Sequence, residues 1–138
     1  MAVVFAVMSL YDLNGCIINF LDPSRIIDRN RKADTLQHVN MTIYDQTKCR
    51  HLLAEGNYEL EESQLCAGGE AGRDSCFGDS GSALMADYID GKNRFETWKL
   101  IGLVSFGLSR NKCGVQGSPG IYTRVRDYIP WILDNVET

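Results

Sequence analysis

The sequence predicts an all-β domain, a small barrel or sandwich of short strands finished by one C-terminal helix. Three observations carry this. Val39, Met41 and Ile43 alternate with His38, Asn40 and Thr42, the period of a half-buried strand. Short apolar runs farther along are punctuated by turn residues such as Asp90-Gly91 and Ser118-Pro119-Gly120. Val125, Tyr128, Ile129, Ile132 and Val136 fall at helical spacing.

The elements follow in order. Residues 1–33 show no clean periodicity; apolar pieces surround Asn14-Gly15, which reads as a turn. Leu36 to Tyr44 is the first clear strand. Lys48 to Glu55 reads as a short helix capped at Thr47. Gln64 to Ala67 is a short strand, and residues 68–82, rich in Gly, Ser and Asp, form a loop. Ala83 to Tyr88 and Thr97 to Phe106 read as strands, and the apolar run Leu100 to Phe106 predicts a central, two-sided one. Ile121 to Val125 is the last strand, and the helix after it is expected to dock on a core, with Pro130 near its first turn.

Composition narrows the function classes. In 138 residues, 44% are hydrophobic and 23% charged, the make-up of a globular chain. The net charge is -4, and the densest basic stretch, Arg25 to Lys32, contains Asp28, so a nucleic-acid partner is not expected. No apolar run reaches the roughly 18 residues that span a bilayer. Ala2 to Met8 lacks the basic start and cleavage site of a signal peptide. The five cysteines contain no CxxC and only two histidines accompany them, which argues against a zinc site, and no other metal or organic cofactor is indicated. Four later cysteines and the early Cys16 suggest two internal bridges and one orphan, and hence an oxidising compartment.

The window Asp74-Ser75-Cys76-Phe77-Gly78-Asp79-Ser80-Gly81-Ser82 holds the chemistry. A GxSxG elbow is ruled out: Ser82 stands where its second Gly belongs, and His38 and His51 both precede Ser80 instead of following it. The longer string CAGGEAGRDSCFGDSGS resembles the active-site loop of the chymotrypsin/trypsin family of serine proteases. Val104-Ser105-Phe106-Gly107, Cys113-Gly114, Pro119-Gly120-Ile121-Tyr122-Thr123, Tyr128 and Trp131-Ile132 follow in family order. The resemblance covers residues 34–138, and the segment from Val104 to Gly114 is most similar to the arthropod clip-domain branch, which acts outside cells. Residues 1–33 stay unmatched as a leader.

The resemblance implies an antiparallel β-barrel, the second of the trypsin-like two-barrel fold, with a C-terminal helix. It implies Ser80 as nucleophile and the amides of Gly78 and Ser80 as oxyanion hole. Asp79 would pair with the N-terminal ammonium that activation releases. Asp74, six residues before Ser80, would lie at the floor of the substrate pocket and select Arg or Lys, with Ser75, Gly107 and Gly120 also lining it. Ser105, Phe106 and Gly107 would pair with the substrate backbone. Cys49–Cys66 and Cys76–Cys113 match two family disulfides.

The chain also departs from the family. The triad His and Asp belong to the first barrel, for which the 79 residues before Ser80 leave no room. His38 and His51 read as surface residues off the triad positions. The resemblance therefore implies an endopeptidase cleaving polypeptides after Arg or Lys, present as an incomplete domain that is inactive without its missing N-terminal barrel. The alternative is a non-catalytic homologue that binds or regulates, favoured by the absent base and by Ser82 in place of Gly. Asn40-Met41-Thr42 is a glycosylation sequon in a secreted chain.

Overall fold

The computed structural model describes residues 3–8, 37–89, 96–109 and 112–137. They form strands β1 (Val3–Met8) and β2 (Gln37–Thr42), helix α1 (Gln46–Glu55), strands β3 (Gln64–Gly68), β4 (Ala83–Ile89), β5 (Glu96–Gly107) and β6 (Pro119–Arg124), a 3-10 turn (Val125–Tyr128) and helix α2 (Ile129–Asn135). The turns expected at Asn14-Gly15 and Asp90-Gly91, the basic stretch from Arg25 to Lys32 and Cys16 lie outside the described residues.

The strands form one antiparallel sheet in the order β2-β1-β4-β5-β6-β3. Its two ends meet: Ile43 bridges Ala67, and the Tyr44 amide donates to the Cys66 carbonyl at 3.0 Å. That contact curls the sheet into a barrel and leaves little open edge. Gln46 reinforces the seam, its side-chain amide both donating to the Cys66 carbonyl and accepting from the Cys66 amide at 3.0 Å. Register shifts at Leu84/Met85 in the β4–β5 pair and Val104/Phe106 in the β5–β6 pair supply the local bends that closure needs.

The alternation read along β2 is observed: Val39 and Met41 are buried, His38 and Asn40 exposed. The core is Val39, Met41, Leu65, Ala67, Leu84, Val104 and Tyr122. Fully burying a large apolar side chain such as Met41 or Leu84 contributes roughly 1.5–3 kcal/mol. Gly102 on β5 keeps the interior close-packed, since a Cβ there would approach Tyr122 Cβ at 3.2 Å and Leu84 Cδ2 at 3.3 Å. A second cluster joins Cys49 and Leu53 of α1 to Leu60, Cys66 and Ile121. Cys49 and Leu53 lie four residues apart on one helix face, and the Cys49–Cys66 disulfide ties that face to β3.

Several details differ from the sequence reading. The leader assigned to residues 1–33 contributes β1, which pairs with β2 on one side and β4 on the other. Val3 to Met8 is an unbroken apolar run in the sequence, so no alternation marked it as a strand. The cap of α1 is Asp45 instead of Thr47: its Oδ1 accepts from the Lys48 amide at 3.0 Å. Pro119 and Gly120 open β6, and the turn lies before them at Gln116 and Gly117. The expected single C-terminal helix is a 3-10 turn followed by α2, and it is not docked on the core. None of its residues is buried, and Trp131 is 65% exposed.

Candidate active site

Two loops build the site: residues 69–82 between β3 and β4, and residues 108–118 between β5 and β6. Glycine allows their close approach. A Cβ on Gly114 would stand 3.0 Å from Gly72 Cα, and the Gly72 amide donates to the Gly114 carbonyl at 2.8 Å. The Gly117 amide donates to Gly69 at 2.8 Å. The Cys76–Cys113 disulfide makes the same connection covalent.

Between the loops and the end of β5 lies an open cleft of about 270 Å³. Asp74, Ser75, Gly78, Ser80, Ser105, Phe106, Gly107 and Gly120, all nominated from sequence, line it. Asp79 does not. It is fully buried beneath the loop, where its Oδ2 accepts from the Cys76 amide at 2.7 Å and its own amide donates to the Cys76 carbonyl at 3.0 Å. The turn carrying Ser80 is anchored to β5: the Gly81 amide donates to Val104 at 2.8 Å, and the Val104 amide to Ser82 at 2.9 Å. Gly78 has φ 94°, a conformation that favours glycine. The amides of Gly78 and Ser80 donate to no other described residue, so both remain available to a ligand. Ser80 itself is exposed.

Asp74 is 8% exposed. Its Oδ2 accepts from the Gly114 amide at 2.9 Å, while its Oδ1 has no hydrogen-bond partner among the described residues. Burial pushes its pKa up to about 6, against the lowering effect of the Gly114 and Ser75 amides. The carboxylate is thus half-satisfied where it lines the cleft. Gly120 keeps the way open: a Cβ there would stand 3.3 Å from Asp74 Oδ1 and 3.0 Å from Tyr122 Cε2. Ser105 falls in the β5 bulge, so it has no partner residue on β6 between the Val104–Tyr122 and Phe106–Ile121 pairs.

Tyr122, Phe77 and Lys112 are among the contributors that the sequence reading missed. Tyr122 lies fully buried under the pocket, its hydroxyl 3.0 Å from Ser75 Oγ and donating to Met41 Sδ at 3.8 Å. Burial raises its pKa far beyond the physiological range, so it stays a neutral hydrogen-bonding group. The period of two along β6 places it on the face of Gly120, and that signal was available. Phe77 and Lys112 also line the cleft, and no pattern singles them out. Neither histidine lines it; His38 is exposed on β2 and His51 on α1. Asn40, exposed on β2, stands apart from the cleft. No group of three metal-ligating side chains occurs among the described residues, and no described helix is long and apolar enough to cross a membrane.

The chain is similar to known proteins. The family model for trypsin matches residues 25–132. Serine protease 7 of Drosophila melanogaster is 43% identical over 106 residues, covering 77% of this chain and 25% of its own. The CLIP domain-containing serine protease HP8 of Bombyx mori is 40% identical over 106 residues, again 77% of this chain and 27% of the relative. Neuropsin, a serine protease expressed in the limbic system of mouse brain, superposes with a TM-score of 0.69 at 26% identity, over 99% of this chain and 48% of that one. The chain thus spans about a quarter of the curated relatives it matches and about half of the solved neighbour. On the match of the family model, the order of the barrel strands and the disulfide-pinned loop of Ser80, this chain belongs to the trypsin-like serine protease family.

Proposed function

We propose that this chain is the pocket-bearing part of a trypsin-like serine endopeptidase that cleaves polypeptides after Arg or Lys. The observation that carries this is Asp74: a buried carboxylate with one unpartnered oxygen, in the same cleft as an exposed serine. In this reading Ser80 is the nucleophile, and the Gly78 and Ser80 amides stabilise the oxyanion of the tetrahedral intermediate. Asp79 is the buried partner of an activating ammonium. Ser105 to Gly107 pair with the substrate backbone.

The general base comes from outside these 138 residues, in an N-terminal barrel carrying the triad His and Asp. A serine without a base is an ordinary alcohol, and loss of triad members costs on the order of 10⁶ in turnover. The chain by itself is therefore inactive. Its two disulfides support an extracellular setting, in which Asn40 is a glycosylation candidate.

Calorimetry with benzamidine, an aryl amidinium, tests the pocket: millimolar or tighter binding is expected, lost in Asp74→Asn. Absence of binding overturns the specificity. Turnover of an Arg-anilide by the chain alone, abolished in Ser80→Ala, overturns the claim that the base lies elsewhere. The second reading, a non-catalytic homologue, draws on the lack of a histidine in the cleft. It requires a biological effect that survives Ser80→Ala.

A further inference from the structure

Among the residues lining the cleft, two carry charged side chains: Asp74, buried, and Lys112, exposed. They differ in every respect that matters for recognition. Asp74 is held by the Gly114 amide and shielded from water. Lys112 belongs to the opposite loop, next to Cys113, so the disulfide to Cys76 fixes its backbone beside the cleft. It makes no ion pair with another described residue. Its ammonium is thus a solvated cation at the mouth of a cleft whose buried charge is an anion.

This arrangement has a cost for a ligand with a single positive charge. The carboxylate attracts it, while the ammonium repels it as it passes the mouth. A ligand that also brings a negative group to the mouth escapes the repulsion and gains a second ion pair. We propose that Lys112 makes the cleft a two-charge site selecting a basic side chain flanked by an acidic one, with the basic group entering towards Asp74 and the acidic group left at the mouth against Lys112. The inference rests on the reading of the cleft as a pocket for Arg or Lys and adds a substrate class to it: peptides in which an Asp or Glu neighbours the Arg or Lys. Lys112 acts here on binding and takes no part in bond cleavage.

Blocked tripeptides with a central Arg test this, Asp or Asn being placed in turn before and after it and binding to the intact chain being measured by calorimetry. At least one Asp peptide should bind about two- to fivefold more tightly than its Asn counterpart, the scale of a solvent-exposed ion pair. The preference should vanish in Lys112→Gln, survive in Lys112→Arg and shrink at high salt. Asp74→Asn should weaken Asp and Asn peptides alike. Equal affinity for the Asp and Asn peptides in every position, with Asp74→Asn still abolishing binding, overturns the role of Lys112 and leaves the pocket reading standing. A preference that persists in Lys112→Gln also overturns it. Binding indifferent to Asp74→Asn, or no binding of any Arg peptide, overturns both.

Discussion

The two ends of the last strand lead to opposite situations. At the start of β6, Pro119 and Gly120 are buried, Gly120 against Tyr122 and Asp74, in a region held by one disulfide and two backbone hydrogen bonds between loops. Past its end, the 3-10 turn and α2 leave Trp131 and Leu133 65% and 72% exposed. The residues that line the cleft come from two loops, the end of β5 and the start of β6, all in one barrel. The helix differs: Ile129, Trp131 and Leu133 stay exposed, and Ile132 is half-buried.

The largest expected effect breaks the well-held region. Replacing Cys76 and Cys113 by Ser opens a loop of sequence separation 37, worth about 3–4 kcal/mol of chain entropy in the unfolded state. A urea titration should show the midpoint falling accordingly, and benzamidine binding should be lost with the fixed loop. Removing Cys49–Cys66, separation 17, should cost about 3 kcal/mol and leave amidine affinity in the folded protein unchanged, because that bridge ties α1 to β3, away from the cleft.

Gly120→Ala comes next. Its methyl group meets buried atoms of Tyr122 and Asp74 at 3.0–3.3 Å, none of them on a flexible chain end facing solvent. Overpacking of this kind costs typically 1–3 kcal/mol. A lower thermal midpoint together with lost amidine binding is expected. An unchanged midpoint would mean that the pocket is softer than its contacts imply.

How legible each region was in the sequence follows from the same physics. The strands with one wet face, β2 above all, announce themselves by alternation. β1 does not, because Val3 to Met8 is a bare apolar run with no alternation to read. The cleft residues are legible because Gly, Asp and Ser sit in a fixed order whose chemistry restricts each position; Asp74, Gly78 and Gly120 are positions where another side chain would remove a charge, strain the backbone or fill the pocket. Lys112 has no such constraint and left no mark. The C-terminal segment shows the limit of periodicity. Its apolar spacing correctly gives a helix, but spacing alone does not say whether the partner for that face lies in the same chain.

Asp74 offers a pH-dependent test of the pocket. Its carboxyl is pushed up to about 6 from the ordinary 3.8, so between those values the folded state holds a proton that the unfolded state has lost. Stability therefore falls as pH rises from about 4 to about 6 and is flat above. The span corresponds to about 3 kcal/mol at most. Asp74→Asn removes this decline but leaves its buried amide without an acceptor at every pH, for a net gain on the order of 1 kcal/mol at pH 8 and a net loss of similar size at pH 4. Thermal melts of both proteins across this range measure it. Amidine affinity in the unsubstituted chain should run the other way, rising with pH through about 6 as the carboxylate forms. A cation that binds equally well at pH 4.5 and pH 8 would remove Asp74 from the pocket floor.

The smallest effect is expected at α2. A side chain already in water gives up little on substitution, so Trp131→Glu and Leu133→Glu should each change stability by no more than about 0.5 kcal/mol. Their effect should appear instead in association. Tyr128, Ile129, Trp131, Leu133 and Val136 are all exposed on one short segment, and apolar clusters of this kind drive self-association. Sedimentation of the unsubstituted chain should show concentration-dependent oligomers that the two substitutions together suppress, while benzamidine affinity stays as it was. A loss of several kcal/mol on either substitution would instead mean that the helix packs in solution against the barrel it projects from, and that the two regions are less independent than their contacts indicate.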